Sequence, residues 1–240
     1  MEIDVCLTPS AYLPQPEQQR IAVVIDVFRA TSSMAAAFAQ RCEAIIPVQT
    51  VEASWREKQI RPDALLAGER EALKIPGFDL GNSPREFTAA AVSGKTIIMS
   101  TTNGTAALLA VADASAVYAA SFVNAAAVCR LLRECGRNTV LVCAGRKGEF
   151  ALEDALCAGL LADRLADSAV LSDAAQFARA AYRKFAPDLL PSVAASRHAR
   201  YLSRIGLAED VGWCLQSDCI DIVPRFRDGV VAVADCASRC

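Results

Sequence analysis

The chain of 240 residues contains a single histidine, His198, and that scarcity removes whole mechanisms. Metal centres built from several imidazoles cannot form. Neither can an Arg-His-Gly phosphohistidine nucleophile, because His198 stands in "SRHARYL" and reads as a surface or packing residue. Basic charge is not in excess either: 25 Lys and Arg against 27 Asp and Glu leave a net charge of −2, with no positive field to gather nucleic acid or an anionic membrane. Long apolar runs are missing. "AALLAVA" ends at Asp113, far below the roughly 20 residues that a membrane span needs. The opening "MEIDVCLTPS" lacks a basic region leading into an apolar one, so no secretion signal is read and a cytoplasmic protein is expected.

Motifs for nucleotides and zinc are absent too. No G-x-G-x-x-G occurs, and Gly94-Lys95-Thr96 lacks the upstream glycine of a nucleotide loop and precedes its strand rather than following it. Ten cysteines include no C-x-x-C pair. Cys129, Cys143 and Cys157 sit among apolar residues and read as small hydrophobes, while Cys236 and Cys240 read as thiols that could oxidise in vitro.

What is present is an ordinary globular composition, 53% hydrophobic and 22% charged. Short β-branched runs alternate with helical patterns, which predicts an α/β fold with a mostly parallel or mixed sheet flanked by helices. The clearest strands are 21–27, 95–100, 138–144 and 229–234, with weaker ones at "EAIIPV", "DALLAG", "SAVYAA" and "DCIDIV". After Phe150 the spacing turns helical through "ALEDALCAGLLADRLA" and "SDAAQFARAAYRKFA", and again in "SRHARYLSRIG" after the prolines 187 and 191. No linker divides the chain, so residues 1–240 are read as one domain. Apolar α/β chains of this size commonly pair, and a homodimer is an expectation on that ground.

Three times a strand runs into a polar turn and then a small-residue helix: "VVIDVFRATSSMAAAFA", "TIIMSTTNGTAALLA" and "TVLVCAGRKGEFALEDALCAG". In an open parallel sheet such turns share the carboxyl edge, where ligands bind, and helix starts favour an anion. Thr31 or Ser32, Thr101 or Thr102, and Gly145 are the expected starts, although Ser and Thr are also ordinary helix caps. In the first turn, Asp26 offers a carboxylate for Mg²⁺ or water and Arg29 a guanidinium for an oxyanion, unless the two simply pair. Glu69 and Arg70 end the strand at 63–67. Beyond them Asn82 and Ser83, in the Gly-rich loop before Pro84, could face a ligand. "TTNGT", Thr101 to Thr105, reads as a phosphate cradle. Glu153 and Asp154 open a helix just past Gly145 and Arg146, so up to four carboxylates (Asp26, Glu69, Glu153, Asp154) could serve a metal among several arginines.

Taken in order and spacing, "VVIDVFRATSS", "AGER", "GFDLGNSP", "TTNGTAAL", "AGRKGEFALEDALCAG" and the ending "SRHARYLSRIGLAEDVGWCLQSDCIDIVPRF" resemble the 2-phosphosulfolactate phosphatase family over essentially the whole chain. The resemblance implies two α/β motifs of similar topology in one compact unit, with the boundary between the halves roughly at 120–137. It also implies a Mg²⁺-dependent hydrolase that converts (2R)-2-phospho-3-sulfolactate to 3-sulfolactate, a step towards coenzyme M. On that footing Asp26, Glu69 and Asp154 bind Mg²⁺ with Glu153 in reserve. Arg29, Arg70 and Arg146 counter the charge of a phosphorylated sulfonate. Thr101, Thr102, Asn103 and the Gly104 N–H hold transferring oxygens, with Thr31, Ser32, Thr105 and Gly145 around the ligand and Asn82 and Ser83 closing over it. The nucleophile stays open. Two positions depart from the family pattern: Glu71 and Ala72 stand where a Gly-Gly pair is expected, and Ala106 where an arginine is common. The rival readings are a non-catalytic sensor of an anionic metabolite and a nucleotide-dependent phosphotransferase, the latter disfavoured by the missing nucleotide loop.

Overall fold

The computed structural model describes residues 1–14 and 19–234; Cys236 and Cys240 lie outside them. The strands are β1 (Glu2–Cys6), β2 (Ile21–Ile25), β3 (Ala44–Pro47), β4 (Leu65–Arg70), β5 (Leu73–Lys74), β6 (Thr96–Ser100), β7 (Ala116–Ala120), β8 (Thr139–Cys143), β9 (Val170–Leu171), β10 (Pro224–Arg227) and β11 (Val230–Val233). The helices are α1 (Ala30–Ala39), α2 (Val51–Ile60), α3 (Ala89–Val92), α4 (Gly104–Ala110), α5 (Ala125–Cys135), α6 (Leu152–Leu165), α7 (Asp173–Phe185), α8 (Leu189–Ala194), α9 (Arg197–Arg204) and α10 (Ala208–Cys214).

All the strands join one sheet in the order β5-β4-β6-β3-β11-β10-β7-β2-β8-β1-β9. Two parallel blocks are visible in it. β4, β6 and β3 form one, and β7, β2, β8, β1 and β9 the other. The β10–β11 hairpin bridges them and pairs antiparallel to both neighbours, so the blocks run in opposite senses. Their strands interleave along the chain.

The three polar turns therefore do not share one carboxyl edge. Those after β2 and β8 do, since these strands are parallel neighbours, but β6 belongs to the other block. Packing brings its turn across. Ala22 and Val24 of β2, Val140 and Val142 of β8, and Ile97 and Met99 of β6 face one core, together with Met34, Ala37 and Phe38 of α1 and Ala107 and Leu108 of α4. Small residues let α1 sink into this core, every residue from Ala30 to Phe38 being buried, while α4 buries Gly104, Thr105, Ala107 and Leu108. The alternate residues, Ile21, Val23 and Ile25, face a second core against α5, α6 and α7. β2 is apolar on both faces because a parallel strand between helical layers has no wet side.

Several elements depart from the sequence expectation, which names no strand at β5 or β9 and no helix at α2. β1 was not anticipated, although Ile3 and Val5 alternate with polar residues and are buried against α-helical neighbours. "DCIDIV" is not a strand; the strand begins at Pro224. Residues 218–223 are held as a connector instead, with Asp218 N–H donating to Phe122 O (3.1 Å) and Ile220 N–H to Val123 O (2.9 Å), while Asp218 itself adopts φ +58°. Cys129, Cys143 and Cys157 are buried free thiols, as their apolar contexts imply, and Cys6, Cys42 and Cys214 are buried free thiols too.

Candidate active site

A narrow pocket of about 30 Å³ opens where the turns after β2, β4, β6 and β8 meet α9. Its walls carry Asp26, Arg29, Glu69, Asn82, Thr102, Asn103 and Arg146, all anticipated, together with Lys147, His198 and Tyr201, which were not.

Asp26 follows the last residue of β2 and is buried. Its Oδ1 accepts the Ala30 N–H at 3.2 Å, and the Thr31 hydroxyl donates to its carbonyl at 2.8 Å, which locks the turn. Burial lifts the Asp26 carboxyl to about 7; the Ala30 N–H and His198 pull the other way, while Glu69 and Glu153 add to the rise. Opposite Asp26 lies Gly104, where an added Cβ would stand 2.4 Å from Ala30 Cβ and 2.6 Å from Asp26 Oδ2. Only glycine lets α4 begin so close to α1.

Glu69, next to last in β4, has both oxygens engaged: Oε1 accepts the Thr102 N–H at 2.7 Å and Oε2 the Ala72 N–H at 2.8 Å. The intervening turn places Glu71 at φ +52° and Ala72 at φ +62°. These are the two positions where the sequence reading expects a Gly-Gly pair, and the left-handed geometry is one that glycine adopts without steric cost. Asn103 Oδ1 accepts the Lys147 N–H at 2.8 Å and so ties the β6 turn to the β8 turn.

Arg29 does not pair with Asp26. Its guanidinium donates to Asp210 Oδ2 at 2.7 Å and to Ala72 O at 2.6 Å. Lys147 pairs with Glu71. Arg146 stacks 4.9 Å over the ring of Tyr201 and, among the described residues, forms no salt bridge; after Lys147, the larger cause, its charge helps hold the Glu71 carboxyl below its usual range.

Other expected residues serve the frame. Arg70 spends its guanidinium on Glu69 O, Ser100 O, Ser100 Oγ and Gln49 O, and the pocket walls do not include it. Thr101 and Thr105 close on each other through Thr105 N–H to Thr101 Oγ1 (3.1 Å) and Thr105 Oγ1 to Thr101 O (2.9 Å). Ser32 Oγ donates to Val27 O at 2.8 Å, and Ser83 Oγ donates to Asp210 Oδ1 at 2.7 Å rather than to the pocket. The residues preceding the helices are Arg29, Asn103 and Ala151, not the Ser, Thr and Gly expected as starts. The hydroxyls of Thr31, Ser32, Ser83, Thr101 and Thr105, expected around a ligand, bond within the protein instead.

The four carboxylates divide. Asp154 does not line the pocket; its Oδ1 accepts the Val27 N–H at 2.8 Å and its Oδ2 the Gly145 N–H at 3.0 Å. Glu153 Oε1 takes His198 Nδ1 at 2.7 Å. Asp26 and Glu69 remain on the pocket wall, and among the described residues no group of three or more His, Cys, Asp or Glu converges as a metal cage. Mg²⁺ does not demand one, since it is commonly held by one or two carboxylates, waters and substrate phosphate. Asn82 Oδ1 and Thr102 Oγ1, two buried oxygens without a partner, line the same pocket. This all-oxygen donor set fits a hard cation.

His198, Tyr201 and Asp210 escaped the sequence reading. All three lie in the C-terminal helices α9 and α10, where helical spacing concealed their role; the one available signal was that the only histidine sits in a segment matching the family pattern.

Comparison with known proteins agrees with this geometry. A family model described as 2-phosphosulpholactate phosphatase matches residues 6–229. A protein of Clostridium acetobutylicum named "Probable 2-phosphosulfolactate phosphatase" is 36% identical over 235 residues, covering 96% of this chain and 100% of its own. Proteins of the same name from Caldanaerobacter subterraneus subsp. tengcongensis (40% over 221 residues; 89% and 90% covered) and Symbiobacterium thermophilum (38% over 221 residues; 90% and 95% covered) are also similar. These matches, over nearly the full chain, define a phosphoric monoester hydrolase. The chain belongs to the 2-phosphosulfolactate phosphatase family. Among the described residues no helix is long and apolar enough to cross a membrane.

Proposed function

We propose that this chain is a cytoplasmic, Mg²⁺-dependent phosphatase that hydrolyses 2-phospho-3-sulfolactate to 3-sulfolactate and phosphate, a step of sulfolactate and coenzyme M formation. The observation that supports the reading is one pocket, assembled from turns distant in sequence, that holds the Asp26 and Glu69 carboxylates with, among the described residues, two buried oxygens lacking a hydrogen-bond partner and an arginine without a salt bridge. Asp26 and Glu69 would hold the metal, with Asn82 Oδ1 and Thr102 Oγ1 within the same wall. When bound, Mg²⁺ supplies charge neutralisation at the phosphoryl oxygens. Arg146, fixed in place by Tyr201, meets the dianion; Asn103 positions the Lys147 backbone beside it. Arg29, already bonded to Asp210, contributes a preorganised positive wall rather than a mobile clamp.

The test is phosphate release from racemic 2-phosphosulfolactate, with and without EDTA. Release that stops on chelation and returns with added Mg²⁺ supports the reading. Unchanged release in EDTA removes the metal assignment, and no release removes the substrate.

A further inference from the structure

A second cavity of about 290 Å³ adjoins the phosphate pocket and shares His198 and Arg146 with it. Phe150, Leu152, Glu153 and Arg197 form much of its remaining wall. His198 therefore stands on the partition between a narrow pocket and a roomier one whose wall mixes apolar side chains with Arg146, Arg197, Glu149 and Glu153, Arg197 being paired with Glu149.

The imidazole is held on several sides. Nδ1 contacts Glu153 Oε1 at 2.7 Å, and the ring meets Phe28 edge-on, with centroids 5.7 Å apart and planes at 74°. It rides on the first turn of α9, which Ser196 caps by accepting the Ala199 N–H at 3.1 Å. Glu153 is almost wholly buried and its Oε2 has no partner among the described residues, so its position is explained by the imidazole it orients. With Nδ1 committed to that carboxylate, Nε2 is the ring nitrogen left without a protein partner among the described residues. A carboxylate that fixes the orientation of an imidazole is the recurring arrangement behind proton transfer.

We propose that His198 is a catalytic proton donor in this phosphatase, that Glu153 is its positioning residue, and that the second cavity receives the departing alcohol. The inference rests on the phosphatase reading above. Water oxygen bonds to phosphorus as the phosphorus–ester oxygen bond breaks. The electron pair of that bond goes to the ester oxygen, which takes the Nε2 proton and leaves as the alcohol. One proton of the attacking water stays on the phosphate, and the other is released and restores the imidazolium. The substrate class is then alkyl phosphate monoesters of small anionic hydroxy acids, whose alkoxides need a proton to leave.

His198→Asn keeps a donor facing Glu153 and removes Nε2, which guards against simple unfolding; thermal melts are recorded beside the kinetics. The expected result on 2-phosphosulfolactate is a kcat loss of about a hundredfold or more with KM within about threefold, partly reversed by added imidazole. On p-nitrophenyl phosphate, whose phenolate leaves without a proton, the loss should stay below about fivefold. Glu153→Gln should lower kcat by roughly tenfold in the wild type and add nothing to His198→Asn, as a residue acting through the imidazole requires. Unchanged kcat in a folded His198→Asn, equal losses on both esters, or failure of imidazole rescue would overturn the inference while leaving the phosphatase reading intact. A wild type inactive on both esters would overturn the reading, and the inference with it.

Discussion

Arg29 and Asp210 stand 181 residues apart in sequence, yet form an ion pair of 2.7 Å with side chains only 3% and 1% exposed. The pair bolts the β2–α1 turn to α10, and Ser83 donates to the other Asp210 oxygen. Removing one partner strands a buried charge. Asp210→Ala is therefore expected to cost about 3 kcal/mol in denaturant unfolding, and to loosen the Arg29 wall of the pocket. A loss below about 1 kcal/mol would mean the pair is solvated in solution.

Gly104 is a packing requirement. Gly104→Ala puts a methyl against Ala30 Cβ and Asp26 Oδ2, so the start of α4 must move away from the β2–α1 turn. Overpacking of this kind costs about 1–3 kcal/mol. Phosphatase turnover should fall by about tenfold or more, because small displacements of positioning groups are amplified in rate. Wild-type turnover in this variant would show that the close approach is unimportant.

Asp26 sets function against stability. Burial holds its carboxyl up, at about 7, so the folded state binds this proton more tightly than the unfolded chain does. The stability it contributes is fully present below the unfolded value of about 3.9 and is lost as pH rises through about 7. Asp26→Asn cannot lose it. In EDTA at pH 8 the variant should be more stable than wild type by about 1 kcal/mol or more, with the difference vanishing towards pH 4. Its turnover should nevertheless drop by about a hundredfold. Denaturation midpoints across pH, measured for both proteins, decide the matter; a variant less stable at every pH would refute the charge argument.

Ala72 occupies the left-handed region at φ +62°. Ala72→Gly should stabilise the chain by about 1 kcal/mol, since an L side chain is disfavoured there by that order. A destabilised variant would mean the turn geometry differs in solution.

Much of the architecture is legible in the sequence because burial on both faces writes continuous apolar runs such as "IAVVI" and "TVLVC", and those runs end at the polar turns that build the pocket. Asp26, Glu69, Thr102, Asn103 and Arg146 follow from that logic. What sequence spacing could not convey is which way a side chain points: Thr101, Thr105 and Arg70 carry the right chemistry but bond the backbone behind the ligand space. Nor could it show the opposed sense of the two parallel blocks, which depends on the β10–β11 hairpin at the far end of the chain. His198 was illegible for a related reason, since its partner Glu153 lies 45 residues away on another helix and only the folded chain joins them.

The most direct measurement is a crystal soaked with Mg²⁺ and 3-sulfolactate. Density for the cation beside Asp26 and Glu69, with sulfolactate reaching from Arg146 past His198 into the second cavity, is the predicted result. Ligand and cation bound elsewhere, with this pocket holding only water, would contradict it.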